Sequence, residues 1–202
     1  MMVDYWQQPV WSQAIVGKRV QLVRPQPKHF PLLLNWFSHA DFVSDYNAFL
    51  GQPILAAQGY IQRTSLPPQQ LQQLDWVMED KQGNALGMAS LADLQHFHRR
   101  AELLVGFPNK TNDRMVLETT LLVLHTAFIA LGLEKVTSLV YGSNLHAQQA
   151  TMNLGFRLEG RLASHLVSPI TQQREDLFFN AMLKDEYLNH PTIRKLNKRL
   201  LA

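Results

Sequence analysis

The sequence predicts a mixed α/β fold, a sheet flanked by helices within one domain. Three observations predict it. Alternating stretches such as Arg19-Val20-Gln21-Leu22-Val23-Arg24 are interleaved along the whole chain with apolar stretches at helical spacing. The stretch from Ala101 to Gly160 reads strand, loop, helix, strand, helix, strand. The 202 residues suffice for one sizeable core, and no internal repeat divides them.

Residues 1–17 lack clean periodicity and form an N-terminal arm. Tyr5, Trp6 and Trp11 are too apolar for a free tail, so the arm should pack on the domain or on a second copy of the chain, which leaves a homodimer open. The domain covers 18–185. Lys18 to Arg24 is its first strand, ended by Pro25 and Pro27. His29 to His39 is a helix, with Pro31 tolerated in the first turn. Asp41 to Gly51 reads as a loop or a short turn of helix. Pro53 starts a second helix that Pro67-Pro68 stops after about Ser65. Leu74 to Glu79 and Ala85 to Leu94 are paired strands across a Lys81-Gln82-Gly83-Asn84 turn. Ala101 to Phe107 is the next strand.

A long helix follows from about Asp113 to Leu131. Leu117, Leu121, Leu124, Phe128 and Leu131 make one stripe, and Val116, Leu122, Val123 and Ile129 extend the apolar surface nearly all round. Gly132 ends it. Lys135 to Tyr141 is strand. Asn144 caps a helix that stops near Leu154 before Gly155. Phe156 to Leu166 and Arg174 to Leu183 are the last strands, around a Ser168-Pro169 turn. Residues 186–202 are a C-terminal helix or tail broken at Pro191.

Composition excludes several chemistries. The chain has no cysteine, so disulfides, thiolate zinc sites and thiol nucleophiles are ruled out. The N-terminus lacks an apolar h-region, and the apolar run 121–131, broken by His125 and Thr126, is too short to span a bilayer. A cytoplasmic protein without membrane contact is expected. The net charge is +3. The basic run from Arg194 to Arg199 reads as a solvated helix face, a nucleic-acid contact being the weaker reading.

Several residues carry a resemblance: Ala101-Glu102-Leu103, then Asn144, then Asn153-Leu154-Gly155-Phe156 followed by Glu159-Gly160. With these the chain resembles the GNAT N-acetyltransferase superfamily, in its RimJ/RimL-like branch, from about Val20 to Tyr187. The resemblance implies a central mixed, mostly antiparallel sheet whose middle strands, 102–107 and 135–141, splay apart at their C-terminal ends. It implies acetyl-CoA as co-substrate and an amine as acceptor, whether a protein N-terminus, a polyamine or a small aminated metabolite. Cofactor contacts would fall on Val105, on Lys110, Asn112, Arg114, Met115 and Val116, and on Asn144. One motif departs from the family. The glycine-rich loop before the long helix reads Thr111-Asn112-Asp113-Arg114-Met115-Val116, without a glycine.

The chemistry has matching demands. Pyrophosphate needs backbone N–H groups at a helix N-terminus, with Lys110 and Arg114 able to add charge. Asp113 opposes it, and Asn112 serves equally well as a plain helix cap. The attacking amine must lose a proton, and Glu102, where related enzymes carry an acidic residue, is the candidate base, through water. His96 and His98 are weaker candidates. No set of histidines and carboxylates has metal-ligand spacing, so no metal is expected. Where family members place a proton donor for the leaving thiolate, this chain has Ala147 and Thr151. The rival reading is a GNAT-fold binding or regulatory protein that has lost acetyl transfer.

Overall fold

The computed structural model describes residues 7–47, 50–109, 111–168 and 171–200. Tyr5, Trp6, Lys110 and Pro169 lie outside the described residues. The strands are β1 (Ile15–Val16), β2 (Val20–Val23), β3 (Leu74–Asp80), β4 (Ala85–Gln95), β5 (Arg100–Gly106), β6 (Lys135–Tyr141), β7 (Arg157–Val167) and β8 (Arg174–Leu183). The helices are α1 (Phe30–Phe37), α2 (Ala40–Tyr46), α3 (Pro53–Gln62), α4 (Asp113–His125), α5 (Leu145–Asn153), α6 (Lys184–Asn189) and α7 (Pro191–Leu200).

The strands form one eight-stranded sheet in the order β1-β2-β3-β4-β5-β6-β8-β7. All neighbours are antiparallel except β5 and β6. The β3–β4 connection is short because Asp80 organises it. Its Oδ1 accepts from the N–H groups of Gln82 and Asn84, both at 2.9 Å, and Gly83 takes the left-handed φ of +82° that the turn requires. Two residues of the arm supply β1, with Ile15 opposite Leu22. Trp11 of the same arm packs into the core.

A helical layer covers each face of the sheet. On one face α1, α2 and α3 enclose Val77, Met88 and Leu104. Of the two forms expected for this segment, a loop or a short turn of helix, the structure takes the helical one over Ala40–Tyr46. Phe42 and Tyr46, one turn apart, are both buried, with ring centroids 5.3 Å apart. That packing stabilises a segment whose local signal for helix is poor.

On the other face lie α4 and the C-terminal helices. Leu121, Leu124 and Phe128 are fully buried, Leu131 nearly so, and Leu117 is half-buried. Ile129 is exposed, so this helix is less apolar in its surroundings than its sequence suggested. The α-helix ends at His125, and Thr126–Ala130 continue as a single π turn, with Leu131 N donating to Thr126 O at 2.9 Å. Phe128 meets the ring of Tyr187 on α6 at 5.0 Å. The Asn197 amide on α7 donates to that tyrosine's hydroxyl at 2.8 Å. The segment after 185 thus contributes Tyr187, Ile193 and Leu200 to the core.

One carboxylate is enclosed by this apolar helix. Glu118 Oε1 accepts from Arg19 N at 2.7 Å and Val20 N at 3.3 Å, and Oε2 pairs with the Arg19 guanidinium at 3.0 Å. A buried charge is tolerated when hydrogen-bonded and paired in this way. It secures the start of β2 against α4.

Phe128→Ala should cost about 3–5 kcal/mol, since the ring is enclosed on all sides. Denaturant unfolding measures this. A loss well below about 1 kcal/mol would mean that Tyr187 and the π turn collapse into the space.

Candidate active site

The site starts from a register. β5 and β6 pair in parallel over three positions only, Arg100 with Lys135, Ala101 with Val136 and Glu102 with Thr137. Beyond them each strand stays bonded to its outer neighbour: β5 to β4 as far as Gly106 opposite Met88, and β6 to β8 as far as Tyr141 opposite Leu177. The two strands therefore diverge and leave a wedge. A cavity of about 450 Å³ occupies it.

Side-chain alternation shows that this wedge passes through the sheet. Leu103 and Val105 point to the α4 face, and Leu104 points to the α1–α3 face. All three line the one cavity. On the α4 side it is walled by Val116, Leu117 and Thr120, and by Ala147, Ala150, Thr151 and Leu154 of α5. On the other side Asp45 and Tyr46 of α2 close it.

Each wall is held by specific bonds. Gly106 lets α2 approach, since a Cβ there would stand 2.7 Å from Tyr46 Cβ. The Tyr46 hydroxyl is committed away from the cavity, 2.7 Å from Ser90 Oγ and 3.2 Å from the Tyr60 hydroxyl. Ser90 donates to Asp75 Oδ1 at 2.6 Å, so its oxygen accepts from Tyr46, and Tyr46 accepts from Tyr60. Asp75 also takes Gln73 at 2.7 Å and the Arg63 guanidinium at 2.7 Å. Burial raises the pKa of both phenols, that of Tyr60 to about 12. Tyr46 is therefore a wall and no proton donor. On the other side Gln148 and the buried Asn180 exchange amide hydrogen bonds at 2.9 and 2.8 Å, and Asn180 donates to Ser138 O at 3.2 Å. That fixes α5 across β6 and β8.

Asn144 links the two sides. Its Oδ1 caps α5 by accepting from Ala147 N at 3.0 Å, while its Nδ2 donates to Asp45 Oδ1 at 3.1 Å. Burial raises the Asp45 pKa, the Asn144 hydrogen bond partly opposes this, and neighbouring Asp41 adds to it.

Of the residues expected at the cofactor, Val105, Val116 and Asn144 line the cavity. Asn112, Arg114 and Met115 are not in its lining. Asn112 is the N-cap of α4, its Oδ1 accepting from Arg114 N at 2.9 Å. The Arg114 side chain is exposed, and Met115 packs against the core. Lys110 lies outside the described residues. Glu102 does not line the cavity either. It stands on the same strand face as Leu104, at the position where the parallel pairing ends. Burial first, and Asp93 next, raise its pKa to about 7, against the opposing pull of Arg100. Of the two residues at the family's proton-donor positions, both Ala147 and Thr151 are in the lining.

Sequence reading missed Asp45, Tyr141 and His146, all of which line the cavity. Tyr141 ends its strand on the diverging side, which strand length alone did not mark as special. Asp45 sits in a segment read as a loop or a short turn of helix. Among the described residues no group of three or more His, Cys, Asp or Glu side chains is placed to hold a metal ion. No described helix is long and apolar enough to cross a membrane.

The geometry has relatives. The chain superposes on a spermidine N-acetyltransferase from Vibrio cholerae, in complex with CoA and spermine, with a TM-score of 0.70 and 20% identity, covering 84% of this chain and 98% of that one. A second structure, a spermidine/spermine N-acetyltransferase from Vibrio cholerae in complex with manganese ions, gives 0.66 at 21% identity, covering 86% and 97%. At such identities the likeness is one of fold. No curated protein sequence matches the chain. The family model of the acetyltransferase (GNAT) domain matches residues 19–157, from the start of β2 through both walls of the wedge. The chain therefore belongs to the GNAT acetyltransferase family.

Proposed function

We propose that the protein transfers the acetyl group of acetyl-CoA to an amine of a polyamine. One observation carries this reading. The wedge between β5 and β6 pierces the sheet, so a thioester entering from the α4–α5 face meets an amine entering from the α2 face. Among the described residues the lining holds two carboxylates, Asp45 and Asp113, and no lysine or arginine. That favours a cationic acceptor over a neutral one. The neighbour in complex with CoA and spermine supports a polyamine over a protein N-terminus or a small aminated metabolite. Placement within the RimJ/RimL-like branch rests on the sequence motifs alone.

The residues present fit coenzyme A. Val105, Leu117, Ala150 and Leu154 offer an apolar surface to the pantetheine arm. The inner edges of β5 beyond Glu102 and of β6 beyond Thr137 do not pair with each other, which leaves backbone groups for the arm's amides. The N-terminus of α4 would face the pyrophosphate. It is partly satisfied already: Asn112 Oδ1 takes Arg114 N, and Asn112 O takes Met115 N at 2.8 Å. Asp113 adds a negative charge to the cavity wall there. Coenzyme A binding is therefore weakened but retained.

Acetyl transfer forms a C–N bond, breaks the C–S bond and removes two protons from an ammonium nitrogen. One proton leaves before attack, and the second ends on the departing thiolate. We assign the first to Glu102, through water, because its raised pKa suits a base working near neutrality. Its carboxylate form is the active one. Polyamine acetylation should therefore rise as the pH increases through about 7. Glu102→Gln should lose that inflection and roughly 10²–10⁴-fold of the rate. A pH–rate profile followed by thiol release checks this, and an unchanged profile in the variant would remove Glu102 from the mechanism.

Asp113→Lys should tighten coenzyme A binding about tenfold, equivalent to ~1.4 kcal/mol. Calorimetric titration of both proteins measures it. An equal Kd would place the pyrophosphate away from the α4 N-terminus.

A further inference from the structure

We infer that Asp45 is the residue that binds the acceptor's ammonium group, held in place for that task by the side chain of Asn144. The inference rests on the acetyl-transfer reading and names the recognition element of the same site. Asp45 is not among the motif residues, Ala101 to Leu103, Asn144 and Asn153 to Gly160, on which the family resemblance was read.

Position is the first argument. Asp45 lies on the α2 wall, opposite the α4–α5 face through which the thioester arrives. Of the two carboxylates in the lining, Asp113 is the first residue of α4 and stands in the favourable field of that helix's N-terminus. Asp45 has no comparable compensation, being in the last turn of α2, where the helix dipole disfavours an anion.

Its bonding is the second argument. Asn144 Nδ2 donates to Oδ1 only. Among the described residues, Oδ2 takes no hydrogen bond and no lysine, arginine or histidine pairs with this carboxylate. A carboxylate in the cavity lining with one oxygen held by Asn144 and no cation paired to it is a preformed ammonium acceptor. The fixed oxygen sets the plane, and the open one receives N–H donors. Because Asn144 also caps α5, the same side chain aligns the acceptor's anchor with the wall that holds the thioester arm. Tyr46, next in sequence and locked to Ser90, keeps α2 from drawing back.

The test separates charge from scaffold. Asp45→Asn keeps an oxygen that accepts from Asn144 and removes only the charge. Asp41→Asn removes the same charge one turn earlier on α2. Spermidine binding to each protein is followed by calorimetry in the presence of coenzyme A, with turnover measured in parallel. Asp45→Asn should weaken spermidine binding at least about tenfold. It should raise KM with little change in kcat, and leave coenzyme A binding as it was. Asp41→Asn should shift spermidine binding less than about twofold, because Asp41 does not line the cavity and a screened surface charge contributes little. Asp45→Glu should recover part of the loss. Unchanged spermidine binding in Asp45→Asn overturns the inference, as does an equal loss in both Asn variants, which would mean a diffuse charge effect. Wild-type protein that binds spermidine through Asp45 but acetylates no amine would refute the acetyl-transfer reading while upholding Asp45 as the cation anchor. Wild-type protein that binds no spermidine refutes Asp45.

Discussion

Everything at the site depends on where the parallel pairing of β5 and β6 stops. The strands touch over Arg100–Glu102 and Lys135–Thr137 and then part. Beyond that point each keeps its antiparallel neighbour on the outer edge, and their facing inner edges no longer pair with each other. The irregularity of β4 between Ala92 and Gln95, with Asp93 at φ +43°, falls opposite the closed end of the wedge. A sheet that opens in its middle exposes unpaired backbone to a cavity and not to bulk solvent. Such backbone is an unmet demand in the empty fold and a binding surface when an extended ligand lies along it.

The wedge would be of little use if its walls moved. Rigidity on the α2 side comes from a directed chain of hydrogen bonds, Tyr60 to Tyr46 to Ser90 to Asp75, ending on a carboxylate paired with Arg63. In a poorly solvated interior such a chain is strong when complete and costly when broken. On the other side, Glu118 anchors the first long strand to α4, and the Gln148–Asn180 amide pair anchors α5. The fold thus places polar groups inside an otherwise apolar core where helices must keep a fixed position relative to the sheet.

Electrostatics divides the cavity. The α2 wall carries a carboxylate destabilised by burial and by its position at a helix C-terminus. The α4 wall carries one stabilised by a helix N-terminus. A cation is attracted most strongly where the anion is least satisfied. The glycine-free start of α4 has the opposite consequence, since its cap consumes an N–H group that an anionic ligand would otherwise use. In the proposed reading, both features lean the site toward recognition of the acceptor rather than toward tight hold on the nucleotide end of the cofactor.

The sequence by itself determined the local pieces. Helical spacing identified α4, alternation identified β2, the Lys81–Asn84 turn marked the β3–β4 hairpin, and Asn144 and Gly155 marked the ends of α5. Together with the motifs around Ala101 and Asn153 these were enough for the family. They depend on interactions between residues a few positions apart, which propensity and period describe. Tertiary structure decided between loop and helix for Ala40–Tyr46, because the helix is stabilised by Phe42 and Tyr46 against a distant sheet face. It alone turned Ile129 outward and brought Tyr187 onto Phe128 through a π turn. It also brought Asp45 to Asn144, ninety-nine residues away. No local pattern encodes such a meeting. It follows from sheet order and from which helix covers which face, and these are settled by the packing of the whole chain.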